Sequence, residues 1–185
     1  ALAIRYAVDN GAQVINMSFG KNYSPHKDWV DDAVRYALDH DVVLVHAAGN
    51  DANNNDVGGN FPCDIYQKKG GLFKAKTAKN WIEIGAFSWK KGEDRLADFS
   101  NFGKKNVDIF SPGVAIYSTV PGSKYKNENG TSMASPAAAG VAAMLRSYFP
   151  ALTAKQVKSI LMESTTPVLG KVKKPGSDEL VEMSE

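Results

Sequence analysis

Apolar and polar positions along the chain change period several times, and each change marks an element. Ala1-Leu2-Ala3-Ile4-Arg5-Tyr6-Ala7-Val8 carries apolar residues at helical spacing, and Gly11 closes that pattern in a usual C-terminal position. Gln13-Val14-Ile15-Asn16-Met17-Ser18-Phe19 and Val42-Val43-Leu44-Val45-His46-Ala47 are near-continuous apolar runs of strand length. Such runs suit strands covered on both faces of a parallel sheet. A helix is predicted between them at 29–40, and further strands at 81–87 and 107–110. This strand–helix–strand order predicts an open α/β fold. Beyond Pro112-Gly113, residues 114–120 and 124–126 flank Pro121-Gly122 and read as a β-hairpin. A helix follows at 134–148, and an amphipathic one at 153–164 with Thr153 as its N-cap. The run Ala137-Ala138-Ala139-Gly140-Val141-Ala142-Ala143-Met144-Leu145 has no polar face, so its helix is expected to be buried all round.

Composition narrows the picture without changing it. The 185 residues, 43% hydrophobic and 23% charged, suit one soluble domain with a real core. A net charge of +2 excludes a reading built on nucleic-acid binding, so the Lys-rich stretch 68–79 reads as a solvated loop. The longest apolar run falls well short of a membrane span. Cys63 is the single cysteine, which rules out an intrachain disulfide and zinc-type Cys/His spacing. It reads as a small buried side chain rather than a nucleophile. Residues 167–185, rich in Lys, Glu, Gly and Pro, read as a polar extension or linker after a domain portion at 1–166. The chain opens inside a helical pattern without Met, which is expected of a piece of a longer protein.

The candidate chemistry lies in Asn129-Gly130-Thr131-Ser132-Met133-Ala134-Ser135-Pro136. This octapeptide places a hydroxyl on a Gly-led turn where a buried helix begins, beside unpaired N–H groups and the positive end of the helix dipole. A hydroxyl there can attack a carbonyl while the oxyanion is stabilised. Gly130-Thr131-Ser132 alone favours the reading of an ordinary helix cap. All eight residues together resemble the nucleophile motif of the subtilisin-like serine proteases, the subtilases. The α/β-hydrolase elbow does not fit, because Ala134 stands where its second glycine belongs.

Three further segments, in family order, extend the resemblance over about residues 1–166, most weakly between 51 and 80. Ala47-Ala48-Gly49-Asn50-Asp51 leaves the C-terminal end of a strand, where open α/β sheets bind ligands. The resemblance makes Asn50 the oxyanion-hole amide, and Ala47, Ala48 and Gly49 one wall of the pocket for the residue before the scissile bond. It makes Ser18, Phe19 and Gly20 the strand that pairs with the substrate backbone, a case of β-augmentation. Ala97-Asp98-Phe99-Ser100-Asn101-Phe102-Gly103 and the segment 107–113 resemble structural framework, and Phe61-Pro62 falls at an aromatic-Pro pair often joined by a cis bond. Ser132 is then the nucleophile, with Thr131 reinforcing the oxyanion hole.

The fold implied is a parallel-sheet, subtilisin-like α/β fold, truncated on its N-terminal side, with a β-hairpin before the nucleophile helix. No cofactor is required. One carboxylate, Asp108, is too little to support a structural calcium, and no metal ligand is assigned. The implied partners are a peptide or protein substrate and the N-terminal half of the same catalytic domain, with self-association of this piece through its bared faces as an expectation. The family implies a secreted or periplasmic setting.

The family's acid and base motifs, Asp-Ser/Thr-Gly and His-Gly-Thr-His, are not in this sequence. His26 reads as solvated, His40 as ending a helix, and His46 as a satisfied core histidine. This stretch alone is therefore expected to be inactive. The rival reading is a peptide-binding module that retains the strand and pocket without catalysis.

Overall fold

A computed structural model describes residues 1–66 and 75–183. The first half runs α1 (Leu2–Asp9), β1 (Val14–Met17), α2 (Lys27–Asp39), β2 (Val43–Ala47), β3 (Ile65–Tyr66) and β4 (Lys76–Thr77). It continues with β5 (Trp81–Phe87), a 3-10 turn (Gly92–Arg95), β6 (Ile109–Pro112) and the hairpin β7 (Ile116–Val120) and β8 (Lys124–Glu128). Helices α3 (Thr131–Tyr148) and α4 (Ala154–Glu163) and the strands β9 (Lys171–Lys173) and β10 (Leu180–Glu182) complete the chain. Of the Lys-rich stretch, 68–74 lies outside the described residues.

The main sheet has the order β1-β2-β5-β6 with every neighbour parallel. Side chains alternate across a strand, so β2 sends Val43 and Val45 to one core and Leu44 to the other. Val43 and Val45 pack with Ile82, Ile84, Ala134, Ala138, Ala142 and Val157 beneath α3 and α4. Leu44 packs with Ile4, Val8, Met17, Val34, Ala37 and Trp81 beneath α1 and α2. The apolar runs lack a polar face because helices cover the sheet on both sides. Local signals bound the helices: Gly11 adopts φ 80° after α1, and Thr153 and Gln156 form a reciprocal capping box at the start of α4.

Two expectations are corrected. Only one face of α3 is buried: Thr131, Ala134, Ser135, Ala138, Ala139, Ala142 and Arg146 face the sheet and its surroundings. Val141, Met144 and Tyr148 lie on the opposite, exposed face. An apolar pattern states what a helix could bury, but the sheet contacts one side only. Within the stretch 167–185, expected as an extension or linker, residues 171–182 instead fold back as the antiparallel pair β9–β10. Val172 is buried, Lys173 pairs with Asp94 at 3.1 Å, and Gly176 N–H donates to Asp98 at 3.0 Å. Few apolar residues suffice there because a surface already exists to receive Val172.

Candidate active site

Ser132 is the second residue of α3, after Gly130 in the N-cap position. The close approach that sets this turn needs glycine at 113. A Cβ there would stand 2.7 Å from Ala86 Cβ and 2.8 Å from Gly130 O, while Gly130 N–H donates to Gly113 O at 2.8 Å. The end of β6 thus carries the Ser132 turn directly.

The Ser132 hydroxyl donates to Ser18 O at 3.2 Å, and the Ser18 hydroxyl donates to Ser132 O at 2.9 Å. Asn16 Nδ2 donates to Ser18 Oγ, and Ser135 Oγ donates to Asn16 Oδ1. The strand end and the helix start are therefore laced together by hydroxyls and one amide. At the same helix start, Asn50 Oδ1 accepts from Thr131 N–H at 2.8 Å and from Thr131 Oγ1 at 2.9 Å. With its oxygen doubly held, Asn50 keeps its amide N–H₂ as the free end, the donor that an oxyanion needs. Thr131 is buried, and its hydroxyl also accepts from Gly49 N–H at 3.2 Å. It supports the site by orienting Asn50.

A cleft of about 440 Å³ joins these groups, lined by Phe19, Gly20, Ala47, Gly49, Asn50 and Ser132. Asn60 and Thr131 also line it. Ala48 is fully buried behind that wall, where its carbonyl accepts from Asn55, Asn60 and Asn101. An apolar cleft of about 210 Å³ lies on the other side of Phe19, lined by Ile4, Val30, Phe61 and Pro62. Cys63 borders it, and burial pushes its thiol up from the usual range. The Phe61–Pro62 bond is cis, as the resemblance implies.

Asn101, taken from sequence as framework, anchors the Asn50 loop. Its Oδ1 accepts from Asp51 and Asn53 N–H at 2.9 and 3.0 Å, and its Nδ2 donates to Ala48 O and Asn55 Oδ1. Gly49, with φ 107°, leaves room for that amide, which a Cβ would strike. Asn60 is the other residue missed: its Nδ2 donates to Ala47 O and Ala48 O at the base of the cleft. Only the fold brings these amides to the loop, although Asn101 stands in a segment already singled out.

None of the three histidines hydrogen-bonds to Ser132 among the described residues. His40 ends α2 and donates from Nδ1 to Tyr36 O at 2.8 Å. His26 is exposed and stacks on Trp29 at 4.7 Å. His46 is fully buried with both ring nitrogens engaged, by the Glu83 carboxylate and by Phe19 O. Asp108 pairs one oxygen with Lys158 at 2.7 Å, and its other oxygen accepts from Glu83 N–H.

The chain has relatives among known proteins. Residues 1–181 match the model of the Subtilase family, Peptidase_S8. The chain belongs to the subtilase family. It is 41% identical over 145 residues to the thermophilic serine proteinase of Bacillus sp. (strain AK1), covering 78% of this chain and 31% of that protein. It is 37% identical over 168 residues to subtilisin DY of Bacillus licheniformis, covering 88% of this chain and 53% of that protein. Among solved structures, a cold adapted subtilisin-like serine proteinase superposes with a TM-score of 0.72 at 28% identity, covering 90% of this chain and 54% of that one. The prenylagaramide maturation protease PagA gives the same TM-score and identity, with 90% and 57% covered. This subtilase chain thus spans from about a third to about half of those relatives. No helix among the described residues is long and apolar enough to cross a membrane.

Proposed function

We propose that this chain carries the nucleophile, oxyanion donors and substrate strand of a subtilisin-type serine endopeptidase. The observation that carries the reading is the pairing of Asn50 with Thr131, which leaves the Asn50 amide free in the cleft that Ser132 lines. A peptide adds as a strand beside Ser18, Phe19 and Gly20, with the side chain before the scissile bond against Ala47 and Gly49. Ser132 Oγ attacks the carbonyl, and its proton passes to an imidazole. The Asn50 amide and the Ser132 N–H, which has no intrahelical partner at this position, hold the oxyanion. Collapse of the intermediate expels the amine, which the imidazole protonates, and water then hydrolyses the acyl-enzyme.

The acid and base come from the part of the catalytic domain that relatives carry beyond this chain. His46 cannot serve as the base, since both its ring nitrogens are committed elsewhere. Residues 1–185 alone are therefore inactive. Subtilisin's own loss on removing its histidine, about 2 × 10⁶ in kcat, sets the scale. The exposed faces of α1 and α3, with Leu2, Tyr6, Met144 and Tyr148, are where that remaining part docks, and without it they favour self-association. A secreted or periplasmic setting goes with this reading.

The test is hydrolysis of a peptide p-nitroanilide by the full-length protein. Steady release of nitroaniline, absent in Ser132→Ala, is expected. Full-length protein that binds peptides without turning them over would instead establish a non-catalytic binding module.

A further inference from the structure

Behind the substrate strand lies a buried polar pair that this mechanism does not use. His46 on β2 and Glu83 on β5 are register partners on adjacent parallel strands. The His46 ring has 0% exposure, and Glu83 is 6% exposed. Nδ1 lies 2.9 and 3.0 Å from the two Glu83 carboxylate oxygens. Trp81 Nε1–H donates to the same carboxylate at 2.7 Å, and Asn60 Nδ2 lies 3.4 Å from it. On the other side of the ring, Nε2–H donates to Phe19 O at 2.7 Å. A carbonyl can only accept, so Nε2 carries a proton however the pair shares its charge.

That bond has a directional consequence. In a trans peptide the C=O of one residue and the N–H of the next point opposite ways. With Phe19 O drawn inward to His46, Gly20 N–H is turned the other way, toward the cleft that Gly20 lines. Gly20 N–H makes no hydrogen bond among the described residues. A buried charged pair is poor value for stability compared with apolar packing, which leaves its orienting effect as the property to explain.

We propose that His46, held by Glu83, is a positioning residue that locks the 19–20 peptide and presents Gly20 N–H to the backbone of an extended peptide substrate. This rests on the reading of residues 18–20 as the substrate strand. The pair selects for length of substrate before the scissile bond, since only a longer peptide reaches Gly20.

The experiment uses the full-length protein in a Ser132→Ala background, with dissociation constants measured for an N-acetylated tetrapeptide and for a single N-acetylated residue. Thermal melts report folding alongside. His46→Leu combined with Glu83→Leu removes the anchor and leaves no unpaired charge. It should weaken the tetrapeptide about tenfold, as expected for a lost backbone pairing, and the single residue by less than about twofold. Glu83→Gln can donate to Nδ1 and keep Nε2–H on Phe19, so it should stay within about threefold of the parent. Equal weakening of long and short ligands, or a folded double variant that binds the tetrapeptide normally, overturns the proposal. So does a parent that binds no peptide. Nitrogen-15 spectra of the unsubstituted full-length protein provide a readout that no folding defect can mask. A His46 ring bare at Nε2 overturns the proposal, and a slowly exchanging Nε2–H supports it. If the full-length protein with Ser132 intact turns over no peptide while tetrapeptide binding depends on His46, the protease reading falls and this one stands.

Discussion

The two sides of the cleft are held in different ways. On the nucleophile side, Ser132, Ser18, Thr131 and Asn50 bond directly to one another, and the groups that would act are themselves the struts. On the opposite side the acting groups are backbone, at Gly20 and along residues 47–49, and the struts stand behind them. Asn101 holds the loop at Asp51, Asn53 and Ala48, and His46 holds Phe19. The difference teaches where damage should show. A change on the first side removes chemistry, whereas a change on the second blurs geometry and stability together.

The largest effect should come from Ser132→Ala in the full-length protein, a fall of about 10⁶ in kcat, the loss characteristic of subtilisin's own nucleophile. Asn50→Ala follows, with kcat down about 10²–10³ and KM nearly unchanged, as subtilisin shows for its own oxyanion asparagine. Steady-state kinetics on a peptide p-nitroanilide read both. If KM rose instead of kcat falling, Asn50 would belong with the binding wall and the contrast between the sides would fail.

Asn101→Ala should behave differently from either. It strands the N–H groups of Asp51 and Asn53, so denaturant titration should show a loss of about 2 kcal/mol, and kcat should fall about tenfold. A drop in activity at full stability would make Asn101 part of the chemistry. The smallest effect concerns Cys63, whose thiol is raised by burial. Alkylation by iodoacetamide near pH 8 should be slower than for a free thiol, because less thiolate is present. Reaction at the free-thiol rate would show that the apolar cleft beyond Phe19 is open to water.

The same contrast explains what the sequence disclosed. The nucleophile side is written in two contiguous stretches, 129–136 and 47–50, so local chemistry and spacing sufficed to find it. The strands were legible because sheet burial leaves near-continuous apolar runs at 42–47 and 81–87, interrupted by His46 and Glu83. His46 could be recognised as a committed core histidine, but its partner could not. Pairing with Glu83 depends on the register of β2 against β5, which no local pattern encodes. Asn101 was hidden for a related reason, since its four partners arrive from a loop about fifty residues earlier in the chain. The outer face of α3 and the β9–β10 hairpin were misread because apolarity reports what an element could bury, not what stands opposite it.

Everything in the account turns on Ser132 being a nucleophile whose base lies beyond this chain. A fluorophosphonate probe, with the labelled site located by peptide mass mapping, tests that most directly. The full-length protein should be labelled stoichiometrically within minutes and at Ser132 alone, while residues 1–185, folded by circular dichroism, should remain unlabelled over the same time. Rapid stoichiometric labelling of Ser132 in residues 1–185, or no labelling of the full-length protein, would contradict it.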